Sequence, residues 1–170
     1  MMRAMASSLK QLGNIDLADY LPYLVNRVGT TMAEQFGEET LAPYGLSIAM
    51  WRVMVVLASA GSQRQIDLAD LTSIEASTLS RIVTRLVQLG LVTRARSASS
   101  NREVTVTLSA NGSALVARLI PSGKEIEVDA IAGLTAEELT VLKRCLRRIY
   151  ENMKSRPAAA AGPRPKRLAG

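Results

Sequence analysis

The stretch from Asp67 to Arg94, DLADLTSIEASTLSRIVTRLVQLGLVTR, gathers hydrogen-bonding and cationic side chains in a pattern that suits duplex DNA. Within it Leu79, Ile82, Val83, Leu86 and Leu89 recur at steps of three and four, the period of a helix with one buried stripe. The opposite face carries Ser77, Ser80, Arg81, Thr84, Arg85 and Gln88, and no carboxylate. Solvated helix faces ordinarily mix acids and bases. A face that must approach phosphates and base edges excludes acids, whereas Ser, Thr, Gln and Arg can donate to phosphate oxygens and to purine edges in the major groove. Ser77, Thr78, Ser80, Arg81 and Thr84 are therefore the candidates for contact with bases or their flanking phosphates. Arg85 and Arg94 are the candidates for positioning the backbone.

The elements around this face would hold it in place. Leu68, Ala69 and Leu71 give a preceding short helix one apolar face, and Ile74 closes the turn between the two helices. Gly90 is placed to end the second helix in a left-handed conformation. Leu91 to Arg94 then read as a strand, and Val104-Thr-Val-Thr-Leu108 alternates with period two, as a half-buried strand does. The polar loop between them begins at Arg96 and ends at Arg102. A hairpin directly after a helix-turn-helix makes a wing, and its Arg96 and Arg102 suit the negative potential of a narrow minor groove.

These residues resemble the MarR-type (multiple antibiotic resistance regulator) winged-helix transcription factors, over about Leu17 to Met153. The most specific parts are Ser80-Arg81-Ile82-Val83-Thr84-Arg85-Leu86, Gly90-Leu91-Val92-Thr93-Arg94, and Leu108-Ser109-Ala110-Asn111-Gly112, which is similar to the family's Leu-Thr-x-x-Gly signature. Leu134-Thr-Ala-Glu-Glu-Leu139 resembles the start of the family's last helix. Two positions depart from the pattern. Ser100 stands where the family's wing has an Asp that orients the arginine matched here by Arg102, which implies a looser wing tip. Glu75 stands where a Ser or Thr cap is usual before the reading helix, so Ser73 is expected to be the cap.

Composition narrows the function class. A formal charge of +6 over 170 residues suits a polyanionic partner, and 48% hydrophobic residues with only 4% aromatics call for an aliphatic core. The absence of histidine excludes Ser-His-Asp and Cys-His catalysis and histidine-bearing metal sites, and no phosphate-cradling glycine loop is present. Neither an enzyme nor a cofactor or metal is expected. No segment reaches the roughly 18 apolar residues of a membrane span, and the first residues lack a secretory signal. With a single cysteine these point to the bacterial cytoplasm, with association to the nucleoid when DNA is bound.

The flanking segments set the expected architecture, mainly α with a small β-wing. Leu21, Leu24, Val25, Val28, Met32 and Phe36 give a first helix its stripe, and a second helix runs through Ile48, Trp51, Val55 and Leu57 to Gly61. Ser109 can cap a later helix bent by Pro121, and Thr135 with Glu138 makes a capping box before Leu139, Leu142, Leu146, Ile149 and Met153. Residues 1–16 are expected to be a flexible lead and 155–170 a disordered basic tail. Residues 17–154 form one domain, with the winged unit over 46–108 and dimerisation helices over 17–42 and 109–154. The long helices need something to pack on, and the resemblance implies a second copy through both chain ends. A two-fold dimer would place two reading helices in successive major grooves, so the operator should be an inverted repeat.

The resemblance also implies release of the operator by a small effector, typically phenolic or an aromatic carboxylate, bound between the helical region and the winged lobe. Tyr23, Arg27, Met50, Trp51 and Met54 are the candidate lining: an aromatic face, adaptable thioethers and a cation for a carboxylate. Two alternatives remain: a redox regulator acting through Cys145, which sits beside Arg144, Arg147 and Arg148, and an effector-free architectural DNA-binding protein. The expected identity is thus a homodimeric repressor with duplex DNA, itself and an effector as partners, and no membrane.

Overall fold

The computed structural model describes residues 16–96 and 104–155. Helix α1 spans Leu21–Phe36, with Pro22 in its first turn, where a missing amide leaves nothing unpaired. It runs on through a π-helical turn, Gly37–Leu41, and a 3-10 turn, Ala42–Tyr44, closed by left-handed Gly45. The Ser47 hydroxyl accepts from the Met50 amide at 3.2 Å and so caps α2, Ile48–Ala60. Next come β1 (Gln63–Arg64), α3 (Gln65–Thr72), α4 (Ala76–Gln88), β2 (Val92–Arg96), β3 (Val104–Leu108), α5 (Ala110–Ala130) and α6 (Ala136–Lys154). This is the mainly helical fold with a small wing that the sequence implies. Among the described residues no single helix is long and apolar enough to cross a membrane.

The core forms where α2, α3, α4 and the sheet converge. Leu79, Val83 and Leu86 of α4 are wholly buried against Val53, Met54 and Leu68, while Ile82 and Leu89 pack at its edge. Each such side chain contributes about 1.5–3 kcal/mol on leaving water. Leu71 does not join them, contrary to its expected place on the inner face of α3: it is 52% exposed. The buried line of that short helix runs from Leu68 to Thr72, whose hydroxyl donates to the Leu68 carbonyl at 2.6 Å.

The sheet has three antiparallel strands in the order β1-β3-β2, one more than the hairpin anticipated. Val92 pairs with Leu108 and Arg94 with Val106, and on the other edge of β3 Gln63 pairs with Val106. A two-residue strand has too little pattern to be seen in sequence. The helix α4 ends as Gly90 predicts, at φ 68°, with the Leu91 amide returning to the Leu86 carbonyl at 3.0 Å and the Gly90 amide to Val87 at 2.9 Å.

The start of α5 is locked onto that turn. The Ser109 hydroxyl accepts from the Gly112 amide at 2.9 Å and donates to the Gly90 carbonyl at 2.7 Å, and the Ser109 amide donates to Leu91 at 3.0 Å. Helix α5 continues as one element through Pro121. By contrast, much of the α1 stripe is uncovered in the single chain: Phe36 is buried and Met32 half-buried, but Leu21, Leu24, Val25 and Val28 are 40–58% exposed.

The chain divides after Ala130 into two compact units. The second holds α6, which begins with the expected capping box: the Thr135 amide donates to Glu138 Oε2 at 2.8 Å, and the Glu138 amide donates to Thr135 Oγ1 at 3.2 Å. None of its side chains is buried. The flexible lead over residues 1–15, the wing-tip pair Ser100 and Arg102, and the basic tail from 156 onward lie outside the described residues.

Candidate nucleic-acid interface

Burial of Leu79, Val83 and Leu86 fixes the rotation of α4, so that Ser77, Thr78, Arg81, Thr84, Arg85 and Gln88 all face solvent, with Ser80 half-buried. The face is free of acids from Ser77 to Gln88, with exposed Val87 the one large apolar side chain among its polar residues. Arg81 is exposed and has no hydrogen bond among the described residues, with the Glu75 carboxylate near enough to feel its charge. The Arg85 guanidinium reaches Gln88 Oε1 at 3.5 Å.

Arg94 reaches back from β2 onto α4. Its Nη2 donates to the Ser80 carbonyl at 3.3 Å and to Thr84 Oγ1 at 3.4 Å, while the Thr84 hydroxyl donates to the same Ser80 carbonyl at 2.9 Å. The wing strand is thereby tied to the middle of α4, and Arg94 still has donors left for an anion. Arg96 closes β2, paired with Val104, at the base of the wing.

The cap of α4 is Glu75, not Ser73. One Glu75 oxygen, Oε2, accepts from the Ser77 amide at 3.0 Å, the Thr78 amide at 3.1 Å, and the Ser77 hydroxyl. Ser73 instead ends α3 in a left-handed conformation, φ 54°. With the turn that tight, Ser73 lies too early in the chain to reach the α4 amides, and the longer Glu75 side chain folds back onto them. The Ser77 hydroxyl and amide, the Thr78 amide and nearby Arg81 hold the Glu75 carboxyl below its ordinary value. A depressed carboxyl contributes stability that is complete above its unfolded pKa and lost as pH falls through the folded one. Acidification below the usual glutamate range should therefore lower the protection factors of the Ser77 and Thr78 amides, exchange being referred to the intrinsic rate at each pH, before the helix interior responds.

The expected effector lining is not brought together. Met54 is wholly buried, and Trp51 is half-buried with its ring centroid 5.3 Å from that of Phe36, so both are core. Met50 packs at the core edge, and Tyr23 lies under Arg27, whose Cζ is 5.6 Å from the ring centroid. Space lies elsewhere. A cavity of about 630 Å³ opens between α1, the π-helical turn and α2, lined by Val25, Asn26, Gly29, Thr30, Ala33, Glu34, Gly37, Glu38, Ile48 and Arg52. A second, of about 440 Å³, lies between α1 and α5 and includes Arg27, Met32, Ile126 and Asp129. Of the five candidates Arg27 alone lines either. Spacing on α1 would have pointed to the first, because Gly29, Ala33 and Gly37 recur every four residues and leave a trough along the helix. In α6 Cys145 is exposed.

Comparison with known proteins places this geometry. Residues 46–104 match the model of the MarR family. The chain is 29% identical over 135 residues to an HTH-type transcriptional repressor of Mycobacterium tuberculosis, an alignment covering 78% of this chain and 96% of the relative. It is similar to a variant MarR from Escherichia coli solved in complex with operator DNA, at 25% identity and TM-score 0.69, covering 76% of this chain and 92% of that one. BpsR of Bordetella bronchiseptica, whose DNA binding is regulated by 6-hydroxynicotinic acid, aligns at 25% identity and TM-score 0.70 over 76% and 98% of the two chains. The winged lobe, the order of the helices around it and these likenesses agree on a MarR-type winged-helix fold, with residues 46–104 matching the MarR family model.

Proposed function

We propose that this protein is a homodimeric transcriptional repressor that binds an inverted-repeat operator through α4 and its wing, and leaves it when a small aromatic acid or phenol binds. One observation carries the reading: the rotation of α4, set by three wholly buried aliphatic side chains, turns an acid-free row from Ser77 to Gln88 outward. Ser77, Thr78, Ser80, Arg81 and Thr84 then meet bases or adjoining phosphates, Arg85 and Arg94 grip the backbone, and Arg96 with Arg102 serves the minor groove. The operator complex of the Escherichia coli relative supports docking of this face on duplex DNA.

A dimer is supported by the apolar side chains that a single chain leaves uncovered. On α6 Leu142, Leu146, Ile149 and Met153 are 37–64% exposed at coiled-coil steps, and α1 adds Leu21, Val25 and Val28. The effector site is the cavity between α1 and α2, whose volume lies within the range of small-molecule pockets. Its Arg52 offers a cation for an acid, and the 6-hydroxynicotinic acid response of BpsR supports a ligand of that size. Coupling of about 1–3 kcal/mol between ligand and DNA would weaken operator binding roughly 5- to 150-fold.

Footprinting on DNA flanking the protein's own gene, with light scattering in parallel, tests this reading. The expected result is a two-chain particle protecting both arms of an inverted repeat. Leu146→Glu should give single chains that no longer protect it. A wild-type monomer, or a protein that protects no repeat, would overturn the proposal.

A further inference from the structure

The leading end of α4 is not what a phosphate contact requires. Helix N-termini attract anions because their first amides are unpaired donors. Here Glu75 Oε2 has taken the amides of Ser77 and Thr78, and a carboxylate also occupies the space an incoming anion would need. The same oxygen contacts the Ser77 hydroxyl. An ionised carboxylate has no proton to give, so the proton in that contact is Ser77's, and it points inward to Glu75.

What the Glu75–Ser77 pair itself leaves free is acceptor only: the lone pairs of Ser77 Oγ, and Glu75 Oε1, which has no hydrogen bond among the described residues though Arg81 lies near the carboxylate. Phosphate oxygens, guanine O6 and N7, and thymine O4 are also acceptors, so none of them can pair with Ser77 Oγ while its proton is held by Glu75. The donors in a major groove are the exocyclic amino groups, N4 of cytosine and N6 of adenine.

We infer that Glu75 and Ser77 form a specificity pair, Glu75 fixing the polarity of the Ser77 hydroxyl so that α4 selects an amino-bearing base, adenine or cytosine, at one position of the bound sequence. Glu75 is the positioning residue and Ser77 makes the contact. The inference rests on the proposed docking of α4 in the major groove and names what that end of the helix recognises there.

Selection from a randomised duplex library with the full chain, compared among wild type, Glu75→Gln and Ser77→Ala, tests it. Wild type should recover one position at which adenine or cytosine is preferred over guanine or thymine by about tenfold. Glu75→Gln, whose amide can also donate, frees the hydroxyl to turn outward. It should erase most of that preference and strengthen binding to unrelated DNA. Ser77→Ala keeps both amide-to-carboxylate bonds, and hence the cap, yet should lose the same preference; thermal melting confirms that both variants are folded. An unchanged preference in both variants, with a specific sequence still recovered, overturns the inference alone. Recovery of no sequence by wild type overturns it together with the docking of α4.

Discussion

Gly112→Ala should lower the unfolding free energy by about 3 kcal/mol, read as a shift of the urea midpoint with unchanged slope. A Cβ built on Gly112 would lie 2.0 Å from the Leu91 carbonyl oxygen and 2.9 Å from Leu108 Cδ2. The first neighbour is backbone and cannot swing aside. It also accepts the Ser109 amide, so pushing it away breaks the bond that seats α5. Gly29→Ala is the matched control: nothing lies within 4 Å of its Cβ position in the middle of α1, and the exchange should stabilise by up to about 1 kcal/mol. If Gly112→Ala melted like wild type, the close contact between α5 and Leu91 would be wrong.

Arg81→Ala should weaken operator binding by about 1–3 kcal/mol, roughly 5- to 150-fold, and relax the preference at one base pair, measured by titration at fixed salt against specific and scrambled duplexes. Arg81 is exposed, lies centrally on the outward row of α4 and has no hydrogen bond among the described residues, so its loss leaves the fold intact. Arg94→Ala should behave differently. Its bonds to the Ser80 carbonyl and Thr84 hold the wing strand to α4, so weaker binding to all sequences alike should come with a loosened wing, visible as faster exchange of β2 amides. Normal operator binding by Arg81→Ala would remove that residue from the interface.

The winged lobe was legible because its signals are local and repeated. The stripe of α4 and the glycine that ends it each follow from the geometry of one element and stand in the structure; β3 forms where its alternation predicts a strand, but only Val106 of it is buried. What the sequence hid depends on neighbours. Strand β1 is two residues long and exists only because β3 offers a free edge. Glu75 displaced Ser73 as the cap because a left-handed turn at Ser73 sets which side chain can reach the amides, and that turn leaves no composition signal. Trp51 and Met54 have the chemistry of a ligand pocket, yet Phe36 and the core claim them. The open space follows instead the small residues of α1, whose meaning appears only once α2 is packed beside them.

The knot at Ser109 has a mechanical consequence. One hydroxyl joins the first turn of α5 to the carbonyl that ends the reading helix, and Gly112 presses the two backbones into contact. Such a joint has little play, so tilting the long helix must drag the tail end of its neighbour along, as a crank turns a shaft. If α4 docks as proposed, a change at α5 would then reach the groove as rotation of α4, without any element having to melt.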